Sequence, residues 1–149
     1  MIPLLLALLC SPCEASSTSR TQPISEIAAE SAAVAVGIVV AARTEPADHG
    51  LRTRYTVVVV ESLQGEPGEE LTVVLPGGRW EGLVQRFHEV PLWSEGDEVV
   101  VCVPAHGPVR FQGLLTVADG ELLDPLDRGE DLVPRTLDEL ARELRTPHR

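Results

Sequence analysis

The fold of this chain follows from the stretch Tyr55-Thr-Val-Val-Val-Val60, because β-branched and aromatic residues favour strands over helices. The stretch Glu98-Val-Val-Val-Cys-Val103 has the same character. Both runs are apolar at consecutive positions, a pattern that is typical of central strands covered on both faces. We therefore expect Val58 and Val100 to be deeply buried.

The segments around these two runs carry further β signals. Residues 33–42 are apolar but too few to span a bilayer, so we predict a strand, with Gly37 marking a bend or bulge. Residues 43–53 are expected to form a polar loop, and residues 71–75 a third strand. Asp119-Gly120 suits a tight hairpin turn into a short final strand.

Residues 109–117 alternate between apolar and polar side chains, which predicts a half-buried strand with an irregularity at its glycine. The inward side chains of that strand should be Val109, Phe111, Leu115 and Val117. Residues 79–91 are less regular, and we interpret them as a short strand pair around residues 80–84 followed by a loop.

A helix is expected near each end of the domain. Residues 24–32 have helical periodicity, with Ile24, Ile27 and Ala28 on one face. Thr136-Leu-Asp-Glu139 is a capping box, and a stripe of leucines follows it at helical spacing. This second helix should lay its leucine stripe on the body of the protein.

Short strands separated by turn residues indicate a mainly β domain, and a length of 149 residues suggests one domain. The specific prediction is a small OB-like barrel, closed or semi-closed, with a short N-terminal helix and a C-terminal helix. The barrel domain is assigned to residues 24–123. Residues 124–149 are assigned to a linker and the C-terminal helix packed on the barrel.

Residues 1–15 are interpreted as a signal peptide. Residues 2–9 form an apolar run of the right length, and Cys13-Glu-Ala15 is a small-x-small cleavage site before Ser16, although no Lys or Arg precedes the run. Residues 16–23 are rich in Ser and Thr and are expected to be a flexible spacer. These features predict a secreted or periplasmic protein without an integral membrane span.

Two alternatives remain open for this N-terminal segment. A bacterial lipoprotein would carry its lipid on Cys10 or Cys13, but Leu9 and Pro12 precede these cysteines where a small residue is preferred. The protein would then be lipid-anchored to a membrane. The segment is also compatible with a buried N-terminal helix.

The charge of the chain disfavours some partners. Its formal net charge is −11, and every basic side chain other than histidine is an arginine. An acidic chain repels phosphate backbones, so we expect no nucleic-acid partner. The chain has no asparagine and therefore no N-glycosylation site.

No motif identifies a catalytic, cofactor or metal site. The four histidines are His49, His88, His106 and His148, and none forms a helical metal-binding pair. The glycines at Pro76-Gly-Gly78 are not followed by a Lys-Ser/Thr pair, and no Gly-x-Ser-x-Gly motif is present. We interpret Cys102 as a small buried hydrophobic residue. The sequence therefore predicts no cofactor and no enzyme.

The aromatic residues of the irregular stretch 79–93 are the best candidates for a binding site. A large ring among turn residues either seals a core or contacts a partner. We expect Trp93 to belong to the core, because it leads directly into a central strand, and Trp80 to be more exposed. The candidate partner-binding residues are Arg79, Trp80, Arg86, Phe87 and Trp93.

Residues 24–118 resemble a known group of proteins. The quoted features are a Ser-Glu-Ile segment before a Val-rich strand, Tyr55-Thr-Val-Val-Val-Val-Glu-Ser-Leu-Gln-Gly65, Leu71-Thr-Val-Val-Leu-Pro-Gly-Gly78 and Pro91-Leu-Trp-Ser-Glu-Gly-Asp-Glu-Val-Val-Val101. This region is similar to uncharacterised exported bacterial proteins with a domain like the OB-type barrel of netrin-like modules and tissue inhibitors of metalloproteinases. Those inhibitors use an N-terminal cysteine to chelate zinc. Here Cys10 and Cys13 lie in the predicted signal peptide, so that role does not carry over.

Three functions from different classes follow from these observations. The leading hypothesis is an exported, non-enzymatic binding or interaction domain for an unknown protein or small ligand. The alternative, which rests on the resemblance, is a regulator or inhibitor-like partner of an extracellular protease. The second alternative is a small hydrolase whose site is assembled from loops.

Overall fold

A computed structural model describes residues 22–146 of the chain. The predicted signal peptide and residues 16–21 of the predicted spacer lie outside the described residues. The described elements are, in order, α1 (Ile24–Glu30), β1 (Ser31–Ala47), β2 (Gly50–Gln64), β3 (Glu70–Pro76), β4 (Gly78–Trp80), β5 (Leu83–Gln85), β6 (Glu98–Pro104), a 3₁₀ turn (Phe111–Gly113), β7 (Leu114–Ala118), β8 (Glu121–Leu123) and α2 (Leu137–Arg145).

The strands form one large antiparallel sheet and one small hairpin. The large sheet has six strands in the order β3-β2-β1-β6-β7-β8, and β4 pairs only with β5. The prediction of a mainly β domain with a helix near each end is therefore confirmed. The edge strands β3 and β8 do not pair with each other, so the sheet is not closed.

The predicted polar loop at residues 43–53 is wrong. These residues continue β1 and β2 into a long hairpin, in which Thr44 faces Thr53 and only a tight turn after Ala47 breaks the pairing. Polar residues are accommodated because this end of the hairpin is largely exposed, and an ion pair of 2.6 Å joins Glu45 to Arg52 across the strands. The irregularity predicted at Gly37 is confirmed by a register shift next to it.

The sheet has a buried cluster on each face. The first cluster joins the sheet to both helices and includes Ile24, Ala28, Val34, Val36, Val100, Cys102, Leu115, Val117 and Leu140. The second cluster draws on β1, β2, β3, β6 and β7 and includes Val39, Tyr55, Val57, Val73, Leu75, Trp93, Val99, Val101 and Leu114. The sheet is thus covered by helices on one face and buries a separate core on the other.

The burial expected for the two valine runs holds for only one of them. Val100 is fully buried, as predicted, but Val58 is 37% exposed. The helices pack over β1, β6 and β7, and they contact β2 near its end, at Leu63 and Gln64. The outer face around Val58 has no covering layer among the described residues, so the prediction for this residue is wrong.

The predicted strand at residues 109–117 is also shorter than expected. Phe111–Gly113 forms a 3₁₀ turn, and only Leu114–Ala118 joins the sheet. Gly113 packs so tightly against Cys102 that an added Cβ atom would lie 2.8 Å from the Cys102 Cβ atom. The chain turns at this contact, and Phe111 is exposed instead of inward, whereas Leu115 is buried as predicted.

The local signals near the C-terminus are confirmed. Asp119 and Gly120 both have positive φ angles, of 51° and 78°, and connect β7 to β8. The Thr136 hydroxyl accepts a hydrogen bond from the Glu139 backbone nitrogen at 3.2 Å, which caps α2. Leu140 of that helix is buried in the first cluster.

Candidate functional site

The β4–β5 hairpin is the most exposed apolar element of the sheet region. Its turn is formed by Glu81 and Gly82, whose φ angles of 47° and 79° are both positive, as a two-residue type I′ turn requires. Across the hairpin Trp80 faces Leu83, and Arg79 faces Val84. Because successive side chains of a strand point to opposite faces, these two pairs lie on opposite faces of the hairpin.

Apolar side chains project into solvent from this hairpin. Leu83 is 63% exposed and Val84 is 57% exposed. Phe87, which follows β5, is also exposed, and Trp80 is half-buried. Residues 78–87 are called the exposed hairpin below.

The base of the exposed hairpin is fixed to β2. The side-chain oxygen of Gln85 accepts a hydrogen bond of 2.6 Å from the Leu51 backbone nitrogen. The Thr53 hydroxyl donates to the Gly77 carbonyl oxygen at 2.7 Å, and Gly78 packs so closely on Thr53 that a Cβ atom would clash with its hydroxyl. Gly77, which precedes the hairpin, and Gly78, its first residue, are therefore needed for this close approach.

Trp93 occupies the core instead of the hairpin. Its ring is 2% exposed and meets the Tyr55 ring edge-on, with the centroids 5.3 Å apart. Its indole nitrogen donates to the Thr116 hydroxyl at 2.9 Å. The expectation that Trp93 is buried and Trp80 more exposed is confirmed. The structure thus brings Arg79, Trp80, Arg86 and Phe87 together on one segment and separates Trp93 from them.

A small pocket lies between the base of the hairpin and the loop before β6. Its volume is about 230 Å³, and its lining includes Arg79, Thr44, Thr53, Tyr55, Ser94 and Glu95. The Arg79 guanidinium donates to the Ser94 hydroxyl over a long 3.5 Å contact. Burial raises the pKa of Tyr55 above its ordinary value, so its phenol stays protonated at neutral pH. This space is called the Arg79 pocket below.

A second cavity, of about 270 Å³, opens beside Cys102 and is also lined by Ser31, His106 and Arg110. Burial raises the pKa of the Cys102 thiol to about 12. The thiolate is the nucleophilic form, so this cysteine is unreactive at neutral pH. Within residues 22–146, no three His, Cys, Asp or Glu side chains are grouped so as to hold a metal ion.

Sequence reasoning missed several of these residues. Leu83 and Val84 directly follow the dipeptide Glu81-Gly82, and Trp80 precedes it. This polar dipeptide between apolar residues was the available signal for an exposed turn. The Arg79 pocket had no comparable signal. Its walls come from β1, β2, β4 and the loop before β6, which only the folded chain brings together.

No helix within the described part of the chain is long and apolar enough to cross a membrane. Comparisons with models of known protein families, with curated proteins and with solved structures give no match to this chain.

Proposed function

We propose that this protein is an exported, non-enzymatic binding module that contacts a partner protein through the exposed hairpin. The observation that carries the proposal is the exposure of Leu83 and Val84 at the tip of a hairpin whose base is fixed by hydrogen bonds. Apolar side chains rimmed by polar ones mark interaction surfaces. Tryptophan and arginine are enriched among the residues that dominate binding energy, and this hairpin has Trp80, Arg79 and Arg86.

The rigidity of the hairpin base supports this role. A contact loop that is already ordered loses little conformational entropy on binding. The hydrogen bonds from Leu51 to Gln85 and from Thr53 to Gly77 hold the hairpin at both ends, while its tip makes no such bond. The hairpin is thus prepared to dock without refolding.

In one form of this proposal the partner is an extracellular protease, and the protein regulates or inhibits it. This form draws support from the resemblance to netrin-like modules and from the second cluster of the sheet. That cluster joins residues of five strands, from the edge strand β3 to β7, and such a shared core is compatible with a semi-closed OB-like barrel. The hydrolase draws less support, because the described thiol is protonated and buried.

Site-specific photo-crosslinking tests the hairpin as the contact surface. The variant Leu83→benzoylphenylalanine, expressed in the native host, should crosslink to one exported protein. Val60→benzoylphenylalanine is the matched control, because Val60 is 60% exposed and Leu83 is 63% exposed. Equal crosslinking from both positions would contradict the proposal.

A binding measurement must follow the crosslink. The purified partner should bind the wild type and lose about tenfold or more in affinity to the double variant Leu83→Ser, Val84→Ser. Both side chains are exposed, so the variant should retain the wild-type unfolding midpoint. An unchanged affinity would show that the hairpin is not the contact.

Export is tested separately by mass spectrometry of protein recovered outside the cytoplasm of the native host. A mature N-terminus near Ser16 is expected. An intact Met1 on exported protein would overturn the signal-peptide interpretation, and a lipid-modified cysteine would support the lipoprotein alternative.

A further inference from the structure

We propose that the Arg79 pocket receives one acidic side chain of the partner protein, an inference that rests on the proposed binding function. The pocket lies at the base of the exposed hairpin, and Arg79 is paired with Val84, so a partner that covers the Val84 face approaches the pocket. The hairpin would supply apolar contact, and the pocket would supply recognition of a carboxylate.

Arg79 has hydrogen-bond donors that the described chain leaves largely unused. A guanidinium has five N–H donors, and its two-pronged shape suits a carboxylate. Arg52, Arg128 and Arg135 each have a carboxylate within 4 Å. Within residues 22–146, the Arg79 side chain has one hydrogen-bond partner, the Ser94 hydroxyl at 3.5 Å. No carboxylate in this range forms an ion pair with Arg79. Its donors are available to a ligand.

The threonine hydroxyls beside the pocket have defined hydrogen-bond directions. Thr53 donates to the Gly77 carbonyl oxygen, so Thr44 must be the donor in the 2.8 Å contact between the two threonine hydroxyls. The protons of both threonines are therefore used within the protein. Ser94 accepts from Arg79, and its own proton has no acceptor in the described chain. Arg79 and Ser94 are therefore donors on the pocket lining that the described chain does not fully use.

The size of the Arg79 pocket suits a single side chain. Small-molecule sites usually have volumes of roughly 300–1,000 Å³. The Arg79 pocket, at about 230 Å³, is smaller than that range and suits the end of one side chain. Protein interfaces place their strongest contacts in pockets that a single residue of the partner fills.

Glu95 provides a test of the sign of the ligand charge. Its carboxylate lies on the lining of the same pocket and would repel an acidic ligand. If the ligand is acidic, Glu95→Gln should strengthen binding, whereas Arg79→Gln should weaken it. Arg43→Gln is the matched control, because Arg43 is an exposed arginine outside the hairpin that does not line the pocket.

The probe is acetate, which represents the end of an aspartate or glutamate side chain. The protein is titrated with sodium acetate up to about 100 mM while chloride keeps the ionic strength constant, and amide chemical shifts are followed by NMR. The Ser94 amide should shift in the wild type and in Arg43→Gln. Arg79→Gln should lose the shift, and Glu95→Gln should lower the midpoint acetate concentration about twofold or more.

The outcomes distinguish the two proposals. The hairpin variant Leu83→Ser, Val84→Ser should still bind acetate although it no longer binds the partner. No acetate-dependent shift at Ser94, or a shift that persists in Arg79→Gln, overturns the pocket and leaves the hairpin contact intact. Acetate binding without a crosslink from position 83 supports the pocket as an anion site and overturns both the hairpin contact and the partner as the source of the anion.

Discussion

The two tryptophans of this chain lie in the same segment between β3 and β6 but have opposite surroundings. Trp93 is 2% exposed, donates to Thr116 and meets Tyr55 edge-on. Trp80 is half-buried on a hairpin and faces Leu83, which projects into solvent. The residue type is identical, so the difference comes from the layer that covers each ring.

The valine runs show the same contrast. Val100 lies in a strand with helices packed on one face and the second cluster on the other. Val58 lies in β2, whose outer face has no covering layer there, and it is 37% exposed. An apolar residue is therefore buried only where another element reaches it, and substitutions at matched positions measure that difference.

The largest effect is expected from a charge at the buried valine. Val100→Asp should destabilise the protein by several kcal/mol or prevent folding, because the carboxylate has no partner in the first cluster. Val58→Asp should cost about 1 kcal/mol or less, because water reaches that position. Urea unfolding of both variants measures the difference, and equal losses would contradict the burial described here.

Truncation of the two tryptophans should give the next largest effect. Trp93→Ala should cost roughly 3–5 kcal/mol, as expected for a large ring removed from a core. Trp80→Ala should cost about 1 kcal/mol or less, because its ring is only half-buried. Iodide quenching of the remaining tryptophan fluorescence provides the check. Stronger quenching of Trp93 than of Trp80 would reverse the assignment.

A smaller loss is expected when the hydrogen bond of Trp93 is removed without a change in side-chain shape. Thr116→Val deletes the acceptor 2.9 Å from the indole nitrogen and leaves that donor unsatisfied, which should cost about 1–3 kcal/mol. Thr72→Val is the control on an exposed strand position and should change stability by about 0.5 kcal/mol or less. A neutral Thr116→Val variant would mean that water already solvates the indole.

The smallest effect concerns pH and Tyr55, the partner of Trp93. Burial raises the pKa of Tyr55 above its ordinary value of 10.0, so the folded state favours the neutral phenol. This contribution is fully present below pH 10.0 and is lost as the pH rises through the folded-state pKa. Tyr55→Phe should show a weaker alkaline loss of stability. The urea midpoint of both proteins, followed against pH, measures this loss.

The alkaline measurement requires a correction for Cys102, whose pKa of about 12 also exceeds its ordinary value of 9.0. The folded state favours the protonated thiol, so this group lowers stability as the pH rises above 9.0. The protein with Tyr55 and the Tyr55→Phe variant are therefore compared in a Cys102→Ala background. Identical alkaline losses with and without the Tyr55 hydroxyl would show that this phenol is not buried in the folded state.

Features that depend on neighbours in the chain were predicted well. The capping box at Thr136 and the hairpin turn at Asp119-Gly120 each involve backbone groups only a few residues apart. The polar residues 43–53 were assigned wrongly, because pairing between β1 and β2 satisfies the backbone of a polar segment as well as that of an apolar one. The strand propensity of single residues does not show whether a second strand is available to pair with them.

The candidate site was predictable only in part. Arg79, Trp80, Arg86 and Phe87 are close in sequence, and a short hairpin keeps them close in space. The Arg79 pocket was not predictable, because Thr44 and Ser94 are fifty residues apart and are brought to the same place by strand pairing and by the loop that carries Trp93.

The sequence by itself determined the high strand content, the helix termini and the tight turns. These features depend on side-chain shape and on hydrogen bonds between near neighbours. The tertiary structure decided which valines and which tryptophan are buried. It also decided that Arg79 and Ser94 share a pocket. Burial and site assembly depend on contacts between segments far apart in the chain, and the strength of those contacts is set by which surfaces meet after folding.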